Sequence, residues 1–147
     1  MPLGFYAKLA SREIGIASAT KMCRSVMIKG IEALLMESML SARHYGVDKD
    51  VLASLSDLLP VGDWEKLARY MISRSIEHGA RRAEEMREVA KTVTEAGIEP
   101  WMSNAAVERQ TWAADHKPAL ANEALSALLD AVLQDIAAED ANARKRA

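Results

Sequence analysis

Apolar residues recur at helical spacing along most of the chain. From Gly15 to about Tyr45 there is no proline, and Ile16, Ala19, Cys23, Val26, Met27, Ile31, Leu34, Leu35 and Met39 follow the repeat that lines one helical face. A helix of roughly 30 residues is about 45 Å long, longer than a domain of this size is wide. It is therefore expected to serve as a central spine or to cross into another domain or subunit. Gly46 supplies a stop, and Asp48 opens a short helix, Lys49 to Leu58, closed by Leu59-Pro60-Val61-Gly62. Asp63 caps the next helix, which carries Trp64, Leu67, Ala68, Met71, Ile72 and Ser75 on one stripe and ends at Gly97. Gly79, inside that pattern, predicts either a break or a close helix contact. A fifth segment runs from Trp101 to about Ala114, and Lys117-Pro118 separates it from a sixth, Ala119 to Ala138. The fold class that follows is all-α, about six helices around a long N-terminal helix, with residues 15–138 as the helical body. Residues 139–147 read as a polar, solvated tail. Residues 1–14 read as an extended arm or a single strand, with Phe5 and Tyr6 as strand formers, and one strand needs a partner from outside the chain.

Composition narrows the function classes. At 147 residues the chain is about one domain, half hydrophobic and only 5% aromatic, a profile that favours helices. Nineteen Lys and Arg against 21 Asp and Glu leave a net charge of −2, which argues against a nucleic-acid binder. No apolar run reaches the roughly 18 residues of a membrane span, and no basic leader precedes an apolar stretch. Cys23 is the single cysteine, so no intramolecular disulfide forms, and a cytoplasmic setting is expected. Three scattered histidines make no metal-binding motif.

Two clusters carry candidate chemistry. Lys21, Arg24 and Ser25 share one helical face near a stretch of small residues, Gly15, Ala17, Ser18 and Ala19, and can converge on an anion or a carbonyl oxygen; an ordinary solvated face explains them as well. Arg74, His78, Arg81, Arg82 and Glu85 repeat at three- and four-residue spacing and suit a carboxylate or phosphate, while Glu77, Glu84 and Glu88 make an interleaved salt-bridge surface an equal alternative. Cys23 reads as a small buried hydrophobe, His44 and His116 as helix-end residues, and Trp64, Trp101 and Trp112 as core residues able to wall a pocket. No G-x-G-x-x-G, G-x-x-x-x-G-K-[ST], H-E-x-x-H or G-x-S-x-G occurs, so the chain presents no cofactor-binding residues of its own.

The stretch Gly15 to Ser25, followed by Lys29-Gly30-Ile31-Glu32-Ala33-Leu34, and the later His78 to Ala90, resembles the C-terminal helical domain of NAD(P)-dependent oxidoreductases related to 6-phosphogluconate and β-hydroxyacid dehydrogenases. It is similar in particular to the phosphogluconate dehydrogenase-like branch, whose C-terminal domain was long catalogued as of unknown function. The resemblance covers roughly residues 10 to 115. It implies a preceding Rossmann domain that carries NAD or NADP, residues 1–14 as a remnant of that domain's last strand, and a homodimer. Lys21 matches the catalytic lysine of the family's helix-start motif and is implied as general acid/base. Ala17 replaces the motif's second glycine, and Arg24-Ser25 stand where an asparagine pair is expected, which favours a more anionic substrate or a different one. Glu85-Met86 occupy the place of a Lys-Asp pair ahead of Gly97-Ile98-Glu99-Pro100. The expected function is a substrate-binding and dimerisation domain for a small anionic substrate, with Lys21 as catalytic residue, Arg24, Ser25, His78, Arg81 and Arg82 as substrate-binding residues, and a separate or missing Rossmann domain as partner. The alternative is a non-catalytic helical module for self-association or partner binding.

Overall fold

The computed structural model describes residues 14–146. They form five α-helices and one 3-10 helix: α1 (Ile16–His44), α2 (Asp48–Leu58), α3 (Trp64–Glu95), α4 (Trp101–Ala113), the 3-10 helix (Ala114–Ala121) and α5 (Leu125–Arg146). No strand occurs among the described residues. The expected arm or strand at residues 1–14 lies, apart from Ile14, outside them.

Local chemistry sets the boundaries. Gly46 and Gly97 adopt φ of 71° and 79°, the left-handed conformation that glycine takes without a Cβ penalty. Each lets the chain fold back so that a late amide reaches a carbonyl of the last turn, Val47 N to Ala42 O at 2.9 Å and Ile98 N to Val93 O at 3.3 Å. Asp63 opens α3 by accepting the Lys66 amide on its side chain at 2.9 Å. Trp64 then donates its indole N–H to Leu59 O at 2.9 Å and anchors the α2–α3 turn.

The long N-terminal helix shares its central role with α3, which packs against both α1 and α4. Ion pairs join Lys29 to Glu85 and Glu32 to Arg82, so rising numbers on α1 meet falling numbers on α3 and the two run antiparallel. Gly79 does not break α3. It is buried where α4 crosses, and a Cβ there would collide with the Gln110 carbonyl oxygen and stand 3.0 Å from the Ala114 amide nitrogen, so the contact is backbone against backbone. The sixth segment starts later than expected. Pro118 cannot donate an i→i−4 bond, and the chain from Ala114 to Ala121 takes the tighter 3-10 form before α5 begins at Leu125. At the other end α5 continues to Arg146, exposed from residue 139 to residue 145.

The core has two apolar clusters. One joins Met36 and Met39 of α1 with Ile72 and Ile76 of α3 and Leu128, Leu129 and Val132 of α5; the other joins Ala33, Ala83, Met86, Val89, Ala106 and Val107. Arg82 and Gln110 fall between the two clusters along α3 and α4, Glu32 meets them from α1 beside Ala33, and all three are buried. A polar layer therefore divides the core, and Gly79 provides the close helix approach beside it.

Two expectations are corrected by this packing. Cys23 is exposed, because Met22 and Val26 face the second cluster and one residue along a helix is about 100° of rotation. His116, read as a helix-end residue, lies in the 3-10 helix just past the end of α4 and is 1% exposed, packed 4.3 Å from the Trp112 ring with Nδ1 3.3 Å from Asp135. The three tryptophans do not wall one pocket: Trp64 is in the core, Trp101 is exposed and Trp112 lines a cleft with Leu40, Leu133 and Ile136.

Candidate functional site

The face of α1 that carries Arg24, Ile28, Lys29 and Glu32 lies across from the α3 face that carries Tyr70, Arg74, Arg81 and Glu85. Between them is an open groove of about 380 Å³. Both faces follow from periodicity, since residues three, four, seven and eight apart on a helix point the same way.

The floor of the groove is an ion network. Glu32 binds Arg82 at 2.8 Å and accepts the Gln110 side-chain amide at 3.1 Å, so one carboxylate ties α1 to α3 and α4. Gln110 also approaches the Lys29 carbonyl oxygen at 3.4 Å. Burial pushes the Glu32 carboxyl above its ordinary value, against the pull of Arg82, Gln110 and Lys29. Lys29 bridges Glu85 at 2.9 Å and donates to the Ser25 hydroxyl at 3.3 Å. Desolvation pushes the Glu85 carboxyl up, but Lys29 and Arg81 outweigh it and hold the group below the usual glutamate value.

The structure brings only part of the expected set together. Arg24, Arg81 and Arg82 line the groove, but Arg82 is held by Glu32. Ser25 is buried and engaged by Lys29. His78 lies outside the lining, with Nε2 3.3 Å from Glu77. Lys21 is exposed one turn before Arg24 and Ser25, on the same side of α1. Three polar lining residues were not singled out from the sequence, Lys29, Glu32 and Tyr70, while Arg74 stood in the second cluster but not among the expected substrate-binding residues. The available signal was Glu32, a carboxylate set between Ile31 and Ala33 on an apolar stripe, whose burial requires a cation from another helix.

The described residues contain no strand and no glycine-rich turn leading into a helix, the combination that cradles a dinucleotide pyrophosphate. They do not fit the nucleotide half of a nicotinamide cofactor. No helix among them is long and apolar enough to cross a membrane.

Residues 42–113 match the family described as Domain of unknown function (DUF1932). No curated protein matches the chain. Solved structures do, two of them as follows. A conserved hypothetical protein from Sinorhizobium meliloti 1021 is 39% identical with a TM-score of 0.69, over 83% of this chain and 42% of that one. The conserved protein MTH1747, of unknown function and described as structurally similar to 3-hydroxyacid dehydrogenases, is 35% identical with a TM-score of 0.67, over 76% of this chain and 43% of that one. The chain thus spans less than half the length of either. The match over residues 42–113, on a fold shared with MTH1747, shows that the chain carries a DUF1932 domain, the C-terminal helical domain of 3-hydroxyacid dehydrogenase-like proteins.

Proposed function

We propose that this chain is the substrate-binding and dimerisation domain of an NAD(P)-dependent oxidoreductase of the 6-phosphogluconate and β-hydroxyacid dehydrogenase type. The observation that carries this reading is the 35% identity to MTH1747, whose fold is similar to 3-hydroxyacid dehydrogenases. Hydride chemistry would come with a cofactor domain supplied beside this one. The contribution of this chain is a proton and a binding face. Lys21 exchanges a proton between its Nζ and the hydroxyl or carbonyl oxygen of a small anionic substrate, and the exposed first turns of α1, residues 16 to 21, leave that lysine accessible to a domain closing over it. Closure takes the ammonium out of bulk water and holds it against the reacting oxygen, the arrangement that general acid/base catalysis requires.

Lys21→Met in a chain carrying its cofactor domain is expected to lower kcat by about 10²- to 10⁴-fold, the usual contribution of a general acid/base. Its thermal unfolding should match the parent. Unchanged turnover removes Lys21 from the chemistry.

A homodimer is the expected assembly. Met27 and Leu34 of α1 are 63% and 58% exposed, and Met102 of α4 is 61% exposed. Leu34 and Met102 line the same shallow cleft between α1 and α4, an apolar strip suited to a second copy. Light scattering at micromolar concentration should give the dimer mass, and Leu34→Glu with Met102→Glu the monomer mass. A parent that runs as a monomer refutes the assignment. The same strip also suits the alternative, a non-catalytic self-association module, and intact turnover in the Lys21 variant would favour it.

A further inference from the structure

The groove between α1 and α3 holds more positive charge than its own carboxylates offset. Arg24, Lys29, Arg74, Arg81 and Arg82 line it against Glu32 and Glu85, five cations to two anions. Counting Glu77, which approaches the Arg74 guanidinium at 3.5 Å from the rim, still leaves two positive charges uncompensated among the described residues. This stands against a whole-chain charge of −2, so the excess is local. Within the set, pairing is unequal. Arg82 is held by Glu32 at 2.8 Å and Lys29 by Glu85 at 2.9 Å, and Arg81 also pairs with Glu85. Arg74 has only the long contact to Glu77, and its Nε, like that of Arg82, is buried with no hydrogen-bond partner. A buried donor without an acceptor is costly, and a guanidinium beside a groove finds its acceptor most readily in a bound oxyanion.

We infer that the groove is a binding site for the doubly negative end of a small organic acid, a phosphate monoester or a second carboxylate. Arg74 is its principal fork, Arg24 and Arg81 close over the same anion, and the Lys29–Glu85 and Arg82–Glu32 pairs hold the walls. The inference deepens the substrate-face reading above and rests on it. It also reassigns part of that face: Arg82 positions Glu32 and Gln110 instead of touching the ligand, and Arg74 takes its place. A groove of about 380 Å³ is at the small end of ligand sites, sufficient for a compact acid. Tyr70, 58% exposed at the edge, offers a hydroxyl to the neutral part of such a molecule.

Titrating the ¹⁵N-labelled full chain with inorganic phosphate, succinate and acetate at constant ionic strength tests this directly. Saturable shifts on α1 around Arg24 and Lys29 and on α3 around Arg74 and Arg81 are expected with phosphate, succinate or both, and weaker binding with acetate. Binding by phosphate alone or succinate alone identifies which dianion the groove takes. Arg74→Gln should weaken binding roughly tenfold or more, from the loss of a charged hydrogen-bonding fork. Arg74→Lys should fall between, and Arg87→Gln, on a pair outside the groove, should bind like the parent. Equal binding of acetate, shifts scattered over the basic surface, no saturable binding, or an Arg74→Gln chain that binds normally each overturn the inference. The spectra also report whether each variant is folded. An absent groove signal beside a Lys21 variant that loses turnover refutes the groove alone, and the reverse pair of results refutes the lysine assignment alone.

Discussion

Replacing Gly79 by alanine sets two physical effects against each other. Within a helix, alanine is favoured over glycine by about 1 kcal/mol, because glycine loses more backbone freedom on folding. If Gly79 were an ordinary interior helical position, the substitution would stabilise the protein by that amount. In the structure the new methyl group would collide with the Gln110 carbonyl oxygen and crowd the Ala114 nitrogen at 3.0 Å and Cβ at 3.1 Å. Two of these are backbone atoms that no rotamer change can move, so α4 has to shift away from α3. Overpacking of this kind costs about 1–3 kcal/mol. The shift also strains the Gln110 bond to Glu32, which at 3.1 Å is already at the long end of its range. Leaving such a buried group unsatisfied adds about 1–3 kcal/mol. Taken together, Gly79→Ala should destabilise by about 1–5 kcal/mol, a fall in Tm of about 3–15 °C for a chain of this size. Urea unfolding followed by circular dichroism at 222 nm measures it. Adding Ala114→Gly should restore little, because the nearest obstacle is the Gln110 carbonyl. A higher midpoint for Gly79→Ala would refute the close approach of the two helices.

Two further outcomes follow from the charged groups. Glu32→Ala leaves Arg82 without its partner in the core and should cost about 3–5 kcal/mol, whereas Glu32→Leu with Arg82→Met should recover most of that in the same unfolding assay; equal losses in both variants would mean the pair is not the essential element. Arg43 grips Asp130 through two hydrogen bonds of 2.8 Å, which hold its carboxyl below the ordinary value of 3.8. A depressed carboxylate stabilises the fold above its unfolded pKa and loses that contribution as pH falls through its folded one. The parent should therefore lose stability more steeply than Asp130→Asn as pH drops below about 4, and parallel pH profiles would count against it.

The helices were legible because glycine, proline and the Asp63 cap mark their ends in the sequence itself. Pro118 was the exception. A proline fits the first turn of a helix, so Lys117-Pro118 reads as a start, and the decision for 3-10 geometry lies in how His116 and Ala119 are buried beneath α5. For α1, periodicity gave the existence of a buried stripe but not its rotation. Cys23, Met27 and Leu34 share the helical repeat and yet face outward, because the faces covered by α3, α4 and α5 are fixed by partners far along the chain. The site shows the same limit. Arg81 and Arg82 are neighbours with glutamates at helical spacing from both. Only the fold sends Arg81 to Glu85 on its own helix and Arg82 to Glu32 across the interface, fifty residues away in sequence.

The polar layer in the core has a consequence for where this domain can be cut. The segment that matches the DUF1932 family, residues 42–113, contains Arg82 and Gln110 but not Glu32, and it omits Leu128, Leu129 and Val132. A peptide trimmed to those limits would keep a guanidinium and an amide aimed inward with no carboxylate to receive them, and would lack the apolar lid contributed by α5. The stretch recognised by sequence is shorter than the unit that can fold. Residues 16 to 41, before the match begins, supply the carboxylate on which three helices converge.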